Sequence, residues 1–437
     1  MNSQNDIAER GPCVLSRMSL ELFIARRMRF RRPGNDGRRS SAGTVIAVTG
    51  IAVSFIVMLL SVVVMLGFKH EIKSKIAGFD SQLIVYPQPS KVTGIVSGNI
   101  ELTTLLQQMI SETLPESDVK INIATPVIFK TADDFQGMII RGIDVEQGDS
   151  FIESNLIRGV MPDLDVDSIS SQVVIPAVMA SRLLLDVGDK IQAYFVSQNS
   201  VKVRNMEVSG IFDTHFSDYD KVYAFARTDF LQDVTGLERN QGSTISINNL
   251  GDDEAIDQAT TKLENTIYQR AASNPDVPLY ELRNIHSTGA AYFSWLALLD
   301  TNVVVILILM AVVSGFTLVS SLFIIILERV NMIGILKALG MSTWSIVKIF
   351  IYVAERLVIR GLLIGNVIAI LLIAVQWYWH ILPLDPESYY LNFVPVEFDC
   401  LSWGILNLGV IVMAALVLLA PAKIIASIKP STAIRFE

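Results

Sequence analysis

The sequence predicts an integral membrane α-helical protein with four transmembrane helices and a large α+β extracytoplasmic domain between helices 1 and 2. Three observations carry that expectation. Apolar runs at Gly43–Gly67, Asn302–Leu327 and Leu401–Ala422 each reach the roughly 20 residues needed to cross a bilayer. A polar insert of about 220 residues separates the first two runs, enough for an independent domain. The chain is 51% hydrophobic and 18% charged, with a mean hydropathy of +0.46, which is too apolar for an ordinary soluble enzyme.

Residues 1–42 form a basic leader holding Arg10, Arg17, Arg26, Arg27, Arg29, Arg31, Arg32, Arg38 and Arg39. The run at 43–67 exceeds the roughly 7–15-residue core of a cleaved signal peptide, so a retained first helix is expected. The insert at 68–290 reads as mixed α and β. Alternating apolar residues mark strands at Gln82–Tyr86, Ile121–Phe129, Met138–Ile143, Lys190–Val196, Val201–Phe212, Lys221–Ala226 and Ser243–Asn248. Helical patterns fall at Glu101–Leu114, Ala177–Val187, Thr228–Val234 and Asp252–Ala271, the last with an acidic first turn. Leu185–Asp189 reads as a helix end with Gly188 as its cap.

A second span covers 302–327, followed by a cytoplasmic and interfacial stretch at 328–356. A third span covers 357–379, interrupted by Arg360 and Gln376. A short loop at 380–400, a fourth span at 401–422 and a tail at 423–437 complete the chain. The loop at 380–400 has no Lys or Arg, whereas Arg329, Lys337, Lys348, Lys423, Lys429 and Arg435 sit on the other side. The positive-inside rule therefore puts both termini and the 328–348 segment in the cytoplasm. The leader arginines read as a topology signal touching anionic membrane lipid, and no nucleic acid is expected.

Motifs for autonomous chemistry are missing. There is no phosphate-cradling Gly-x-x-x-x-Gly-Lys-Ser/Thr loop, no Gly-x-Ser-x-Gly and no His-Glu-x-x-His. His70, His215, His286 and His380 are far apart in sequence. Asp213, His215, Asp218 and Asp220 form the densest polar cluster, which reads as a solvated loop, and no metal site is expected. Cys13 and Cys400 fall on opposite sides of the bilayer and are not expected to pair. Glu355, Arg356 and Arg360 read as charges reaching the cytoplasmic interface. Small residues stripe the first span (Gly43, Ala47, Gly50, Ser54), the second (Ser314, Thr317, Ser321) and the third (Gly361, Gly365). Such stripes serve either a dimer interface or close packing within one subunit.

The stretch 328–348 carries the most information. Glu328 and Arg329 end the second span, and Met332, Leu336 and Leu339 then recur on one helical face, with Gly340 as a helix end. The run Glu328-Arg329 followed by Ile333-Gly334-Ile335-Leu336-Lys337-Ala338-Leu339-Gly340, and the tail Pro421-Ala422-Lys423 with Lys429–Glu437, resemble the FtsX-like permease superfamily. Gly67–Ile72, Arg141–Asp144, Leu185–Asp189 and the Tyr389–Glu397 stretch are similar to its lipoprotein-releasing branch, the LolC/LolE type.

That resemblance implies an inner-membrane subunit of an ABC transporter that is not itself an enzyme and binds no cofactor, with ATP and Mg2+ held by a separate ABC ATPase. The 328–343 helix would be the coupling helix seated on that ATPase. A second permease copy or paralogue would face this one. A lipoprotein substrate would enter a cavity lined by Val62, Met65, Phe68, Val304 and Leu307 and pass to a periplasmic lipoprotein carrier. The short Val196–Val201 stretch departs from the branch's long carrier-binding hairpin, and Pro176 stands where a Gly is usual. The alternatives are a MacB-like efflux or mechanotransmission permease and, from another class, a membrane sensor with an outer ligand-binding domain. A sensor is disfavoured by the short cytoplasmic segments, and a hydrolase by the lack of a nucleophile and base.

Overall fold

The computed structural model describes residues 20–27, 42–87, 98–144, 148–163, 171–196, 201–274 and 277–417. Cys13, most of the leader arginines, residues 197–200 and the tail motif lie outside the described residues. The chain forms two compact units. One comprises the segments up to Gly67, Leu298–Ile381 and the residues from Val396. The other comprises Phe68–Ala297 with Leu382–Pro395.

Among the described residues, four helices are long and apolar enough to cross a membrane: Ala42–Phe79, Ala290–Leu327, Thr343–Trp379 and Cys400–Val417. At 1.5 Å per residue the first three are each about 56 Å long, nearly twice the hydrocarbon core. The first helix therefore does not stop near Gly67. It continues through Phe68–Phe79, whose Lys, Glu, Ile and Ala residues favour helix and contain no proline. The second begins at Ala290, upstream of the apolar run. The third is continuous from Thr343, so the expected interfacial helix and third span are one element, capped by Ser342 accepting from Ser345 N–H. Trp377, Tyr378 and Trp379 are exposed at its outer end, as an aromatic belt should be. Arg360 lies 19 residues earlier, about 29 Å along the axis, which places the exposed Glu355, Arg356 and Arg360 at the opposite interface.

The helical core is built around the first helix. Ile51, Phe55, Met58 and Leu59 pack with Leu318 and Leu322 of the second helix, Val358, Leu362 and Ala369 of the third, and Val410 and Ala414 of the fourth. Lipid gives no hydrophobic drive between helices, so close approach does the work. A Cβ on Gly50 would lie 2.5 Å from Thr317 Cγ2, and one on Gly43 3.2 Å from the Ser321 carbonyl oxygen. On the other side, a Cβ on Gly361 would meet Ile51 at 2.9 Å, and one on Gly365 the Ala52 carbonyl at 3.1 Å. These stripes are thus used within one chain, to seat the first helix between the second and third.

One polar device went unremarked in the sequence. Asn366 donates to Asn407 Oδ1 at 2.8 Å, and Trp403 Nε1–H donates back to Asn366 Oδ1 at 2.6 Å, clamping the third helix to the fourth.

Among the described residues the outer unit holds two larger sheets and a two-stranded pair, Ile100–Glu101 with Gln241–Gly242. A four-stranded antiparallel sheet runs Glu281–Asn284, Leu83–Tyr86, Thr244–Asn248, Asp118–Asn122. Its apolar face, with Leu83, Val85, Ile245 and Ile247, packs on Leu106, Met109 and Ile110 of helix Thr104–Thr113 and Leu263 and Ile267 of helix Asp253–Ser273. The second sheet closes on itself through six strands. The circuit runs Ala124–Lys130, Phe135–Ile143, Tyr223–Arg227, Gln172–Pro176, Val201–Phe212, Lys190–Val196 and back to the first. Leu156–Gly159 is added beside the twelve-residue strand Val201–Phe212. Phe129, Ile140, Val173, Ile175, Val208 and Leu231 lie in its core.

Two expectations change here. The single strand expected at Ile121–Phe129 is two, because the chain leaves one sheet and enters the other at the buried Ile123, whose carbonyl accepts from Gly142 N–H at 2.8 Å. The helix expected to reach Val187 ends at Leu183, with Leu184 (φ 52°) as its left-handed cap rather than Gly188, which serves the following turn.

The seating of the first helix generates a test. Gly361→Val should force apart the first and third helices, at a cost of about 1–3 kcal/mol. It should lower the apparent Tm of the detergent-purified chain, whereas Gly404→Val, at a position with open space around it, should not.

Candidate functional site

The segment after the second membrane helix folds as a nine-residue helix, Val330–Ala338. Ile333 and Gly334 are buried. Met332, Ile333 and Leu336 pack against a cluster with Ala47, Ile325, Ile326, Ile346, Val347 and Phe350. This ties the helix to the ends of the first three membrane helices.

Its end is a Schellman turn. Met341 N–H donates to Leu336 O and Gly340 N–H to Lys337 O, both at 3.0 Å, with Gly340 at φ 88°. Leu336 and Met341 supply the apolar contact that accompanies such turns. Only four residues then separate this helix from the third membrane helix.

The opposite face is open. Glu328, Asn331, Ile335 and Leu339 follow one another at helical spacing, with Ile335 54% and Leu339 79% exposed, and Trp344 is exposed just beyond. The periodicity that groups Leu339 with Met332 and Leu336 on one face therefore differs from the structure. Leu339 is the helix cap and points away from the packed side, because the helix ends one residue before it. Lys337 and Ala338 are half-buried, Arg329 is half-buried and Gly340 is exposed.

The five residues expected at a substrate cavity have different environments. Val62 is buried among the membrane helices, and Leu307 packs against their core. Met65 is half-buried, and Val304 is exposed on the second helix. Phe68 belongs to the outer unit, where it meets Trp295 edge-on at 6.1 Å.

Within the outer unit, the last turn of the first membrane helix ends in a charged and aromatic joint. Asp80 is buried; one carboxylate oxygen accepts from Arg141 at 3.0 Å and the other from the Tyr219 hydroxyl. Arg141 also donates to the Phe79 carbonyl and lies 4.3 Å from the Tyr223 ring centroid. Phe79 stacks on Tyr219 at 4.5 Å and meets Phe151 edge-on. Burial and the Asp80 carboxylate push the Tyr219 hydroxyl up, so it remains a donor.

The polar cluster Asp213, His215, Asp218 and Asp220 lies next to this joint in sequence, and its groups turn to different partners. Asp213 accepts from His215 N–H, Asp218 accepts from the Tyr292 hydroxyl, and Asp220 accepts from Thr214 Oγ1–H at 2.7 Å and Phe216 N–H at 3.2 Å.

A four-helix membrane unit with an α+β domain inserted after its first helix, and a short helix between its second and third, defines a class of permease. Residues 304–430 match the FtsX-like permease C-terminal family and residues 44–266 the MacB-like periplasmic core domain. The chain belongs to this MacB-like, FtsX-like permease family and is a multi-pass protein of the inner membrane. Among its relatives are the lipoprotein-releasing system transmembrane proteins LolC of Xylella fastidiosa, strain 9a5c, and Neisseria meningitidis serogroup B. Each is 22% identical, covering 95% of this chain and 99% of the first relative, and 96% and 100% for the second. The extracellular domain of the noncanonic ABC-type transporter YknZ aligns with 47% of this chain and 99% of its own length, at 14% identity and a TM-score of 0.31, too low to establish a shared fold.

Asp220 gives the outer unit a pH dependence. It is 3% exposed, and burial pushes its carboxyl up to about 6. A carboxyl raised in the folded state binds its proton more tightly there than in the unfolded chain. Its stabilisation is therefore complete below the unfolded value near 4 and lost as pH rises through about 6, on the order of 3 kcal/mol in all. In thermal melts, the margin of the wild type over Asp220→Asn should shrink between about pH 4 and 6 and stay level above about 7. A margin that widens over that interval refutes the assignment.

Proposed function

We propose that this chain is the permease subunit of an ABC transporter that uses ATP hydrolysis by a separate ATPase subunit to extract lipoproteins from the inner membrane for transfer toward the outer membrane. The observation that carries this reading is the near full-length similarity to transmembrane proteins of lipoprotein-releasing systems. The helix Val330–Ala338 supports it. A short helix packed on three membrane helices on one side, and open at Ile335 and Leu339 on the other, suits a groove on a cytoplasmic motor.

Glu328, Arg329 and Ile333–Gly340 are assigned to that coupling element. ATP and Mg2+ would be held by the ATPase, and a second permease copy or paralogue would complete the transporter. Val62, Met65, Phe68, Val304 and Leu307 are assigned to the lipoprotein cavity, where Met65 offers a flexible apolar contact to acyl chains. A periplasmic lipoprotein carrier would receive the product. A MacB-like efflux permease is the second reading, favoured by the match of residues 44–266.

Replacing both Ile335 and Leu339 with Asp should remove about 2 kcal/mol of apolar contact per residue and weaken capture of the ATPase by well over tenfold. Gly334→Leu and Lys337→Glu should leave ATP hydrolysis in place while lipoprotein release from reconstituted vesicles falls. Unchanged release would sink the coupling assignment.

The function itself is tested by depleting the protein and separating inner from outer membranes. Lipoproteins stranded in the inner membrane support release. Normal sorting with heightened drug sensitivity instead supports efflux.

A further inference from the structure

The chain between the third and fourth membrane helices, Leu382–Pro395, belongs to the outer unit. It is a compact hairpin. Pro383 bridges Phe393, Leu384 N–H donates to Asn392 O at 2.8 Å, and Val394 N–H donates to Leu382 O at 3.0 Å. Asp385 caps the single turn Pro386–Tyr389 at its tip.

The residue after that turn, Tyr390, is its left-handed cap at φ 60°. The surroundings here are specific. The Tyr390 ring meets Phe216 edge-on at 5.2 Å and Tyr292 edge-on at 5.6 Å, and Phe216 is fully buried. Lys75, from the outer part of the first membrane helix, donates to the Tyr390 carbonyl at 3.0 Å and to the Thr214 carbonyl at 2.6 Å. The Asp218 carboxylate accepts from the Tyr292 hydroxyl at 2.8 Å. Its neighbour Tyr389 is 45% exposed and has no such setting.

The geometry points to Tyr390 as a latch that fastens the loop between the third and fourth membrane helices to Lys75, Phe216 and Tyr292, so that these helices act on the outer domain together with the first and second. Contributions to one pocket come from the first helix (Lys75), the start of the second (Tyr292), the loop after strand Val201–Phe212 (Phe216) and the hairpin (Tyr390). A hairpin needed only to connect two helices would not require a half-buried aromatic ring seated on two others and a lysine tether at the same residue. The role in transport rests on the function proposed above; the docking of the loop does not.

The test uses the full chain in nanodiscs, with Tyr390→Ala, Tyr390→Phe and Lys75→Met compared with wild type by amide hydrogen exchange. The same variants are then assayed with the ATPase for lipoprotein released per ATP hydrolysed. Tyr390→Ala should speed exchange over residues 382–394 by about tenfold while strands around Ile140 and Val208 keep their protection. Release per ATP should fall about fivefold with hydrolysis preserved. Tyr390→Phe, which keeps the ring and the carbonyl, should show a smaller change in both, and Lys75→Met should loosen the same segment.

Wild-type exchange over 382–394 in Tyr390→Ala overturns the latch. A loosened loop with release per ATP unchanged overturns its role in coupling. A wild-type protein that releases no lipoprotein refutes the transport function instead, and leaves the latch to be judged by exchange alone.

Discussion

The outer unit depends on one buried charge. Asp80 sits where the first membrane helix ends, and its two oxygens are claimed by Arg141 from the closed sheet and Tyr219 from the short helix Ser217–Asp220. Removing either side of such a pair would strand a charge in a poorly solvated place, which costs about 3–5 kcal/mol. Arg141 is further occupied by the Phe79 carbonyl and the Tyr223 ring, so it holds the helix terminus by its backbone as well as by its charge. The rings of Phe151 and Tyr219 pack on Phe79 beside the pair. A helix, a sheet and a connecting loop are thereby fixed at one point.

Much of this architecture could be read in the sequence, because it rests on periodicity. The strands Lys190–Val196 and Val201–Phe212 fall where alternation places them. The helix Asp253–Ser273 begins with the acidic turn and Asp252 cap that its sequence advertises. What was hidden is tertiary. Ile121–Phe129 alternates without a break, and only the departure of Ile123 into a second sheet divides it. Leu184 takes the left-handed cap although Gly188 stands four residues away, because the turn Asp186–Asp189 needs that glycine. Nothing local marks Asn366 and Asn407 as partners, since they are 41 residues apart on different helices. The joint at Asp80 and Arg141 is likewise tertiary, joining residues 61 positions apart in the chain.

The candidate coupling element was legible in its location and only partly in its orientation. Met332 and Leu336 face the packed side as the pattern suggests, joined by Ile333, which the pattern leaves out. Leu339 does not, because Gly340 permits a tight Schellman ending that the spacing alone does not distinguish from one more helical turn. The small-residue stripes illustrate the same limit. Their spacing announces close helix approach, and the contacts of Gly43, Gly50, Gly361 and Gly365 show that the approach is within the chain. That leaves the second helix with its apolar side chains Val305, Ile308, Val312 and Phe316 exposed.

The third membrane helix is marked at both edges of the bilayer, by Trp377, Tyr378 and Trp379 at one and by Arg356 and Arg360 at the other. Each mark is stable at its own depth only: indole and phenol rings favour the headgroup layer, and guanidinium groups resist entering hydrocarbon. Together they act as two stops about one bilayer apart. Sliding along the membrane normal in either direction would drive one set out of its preferred layer. The helix keeps freedom to tilt and to turn about its axis, so a load applied at its Thr343 end would turn into those angular motions rather than into a piston stroke.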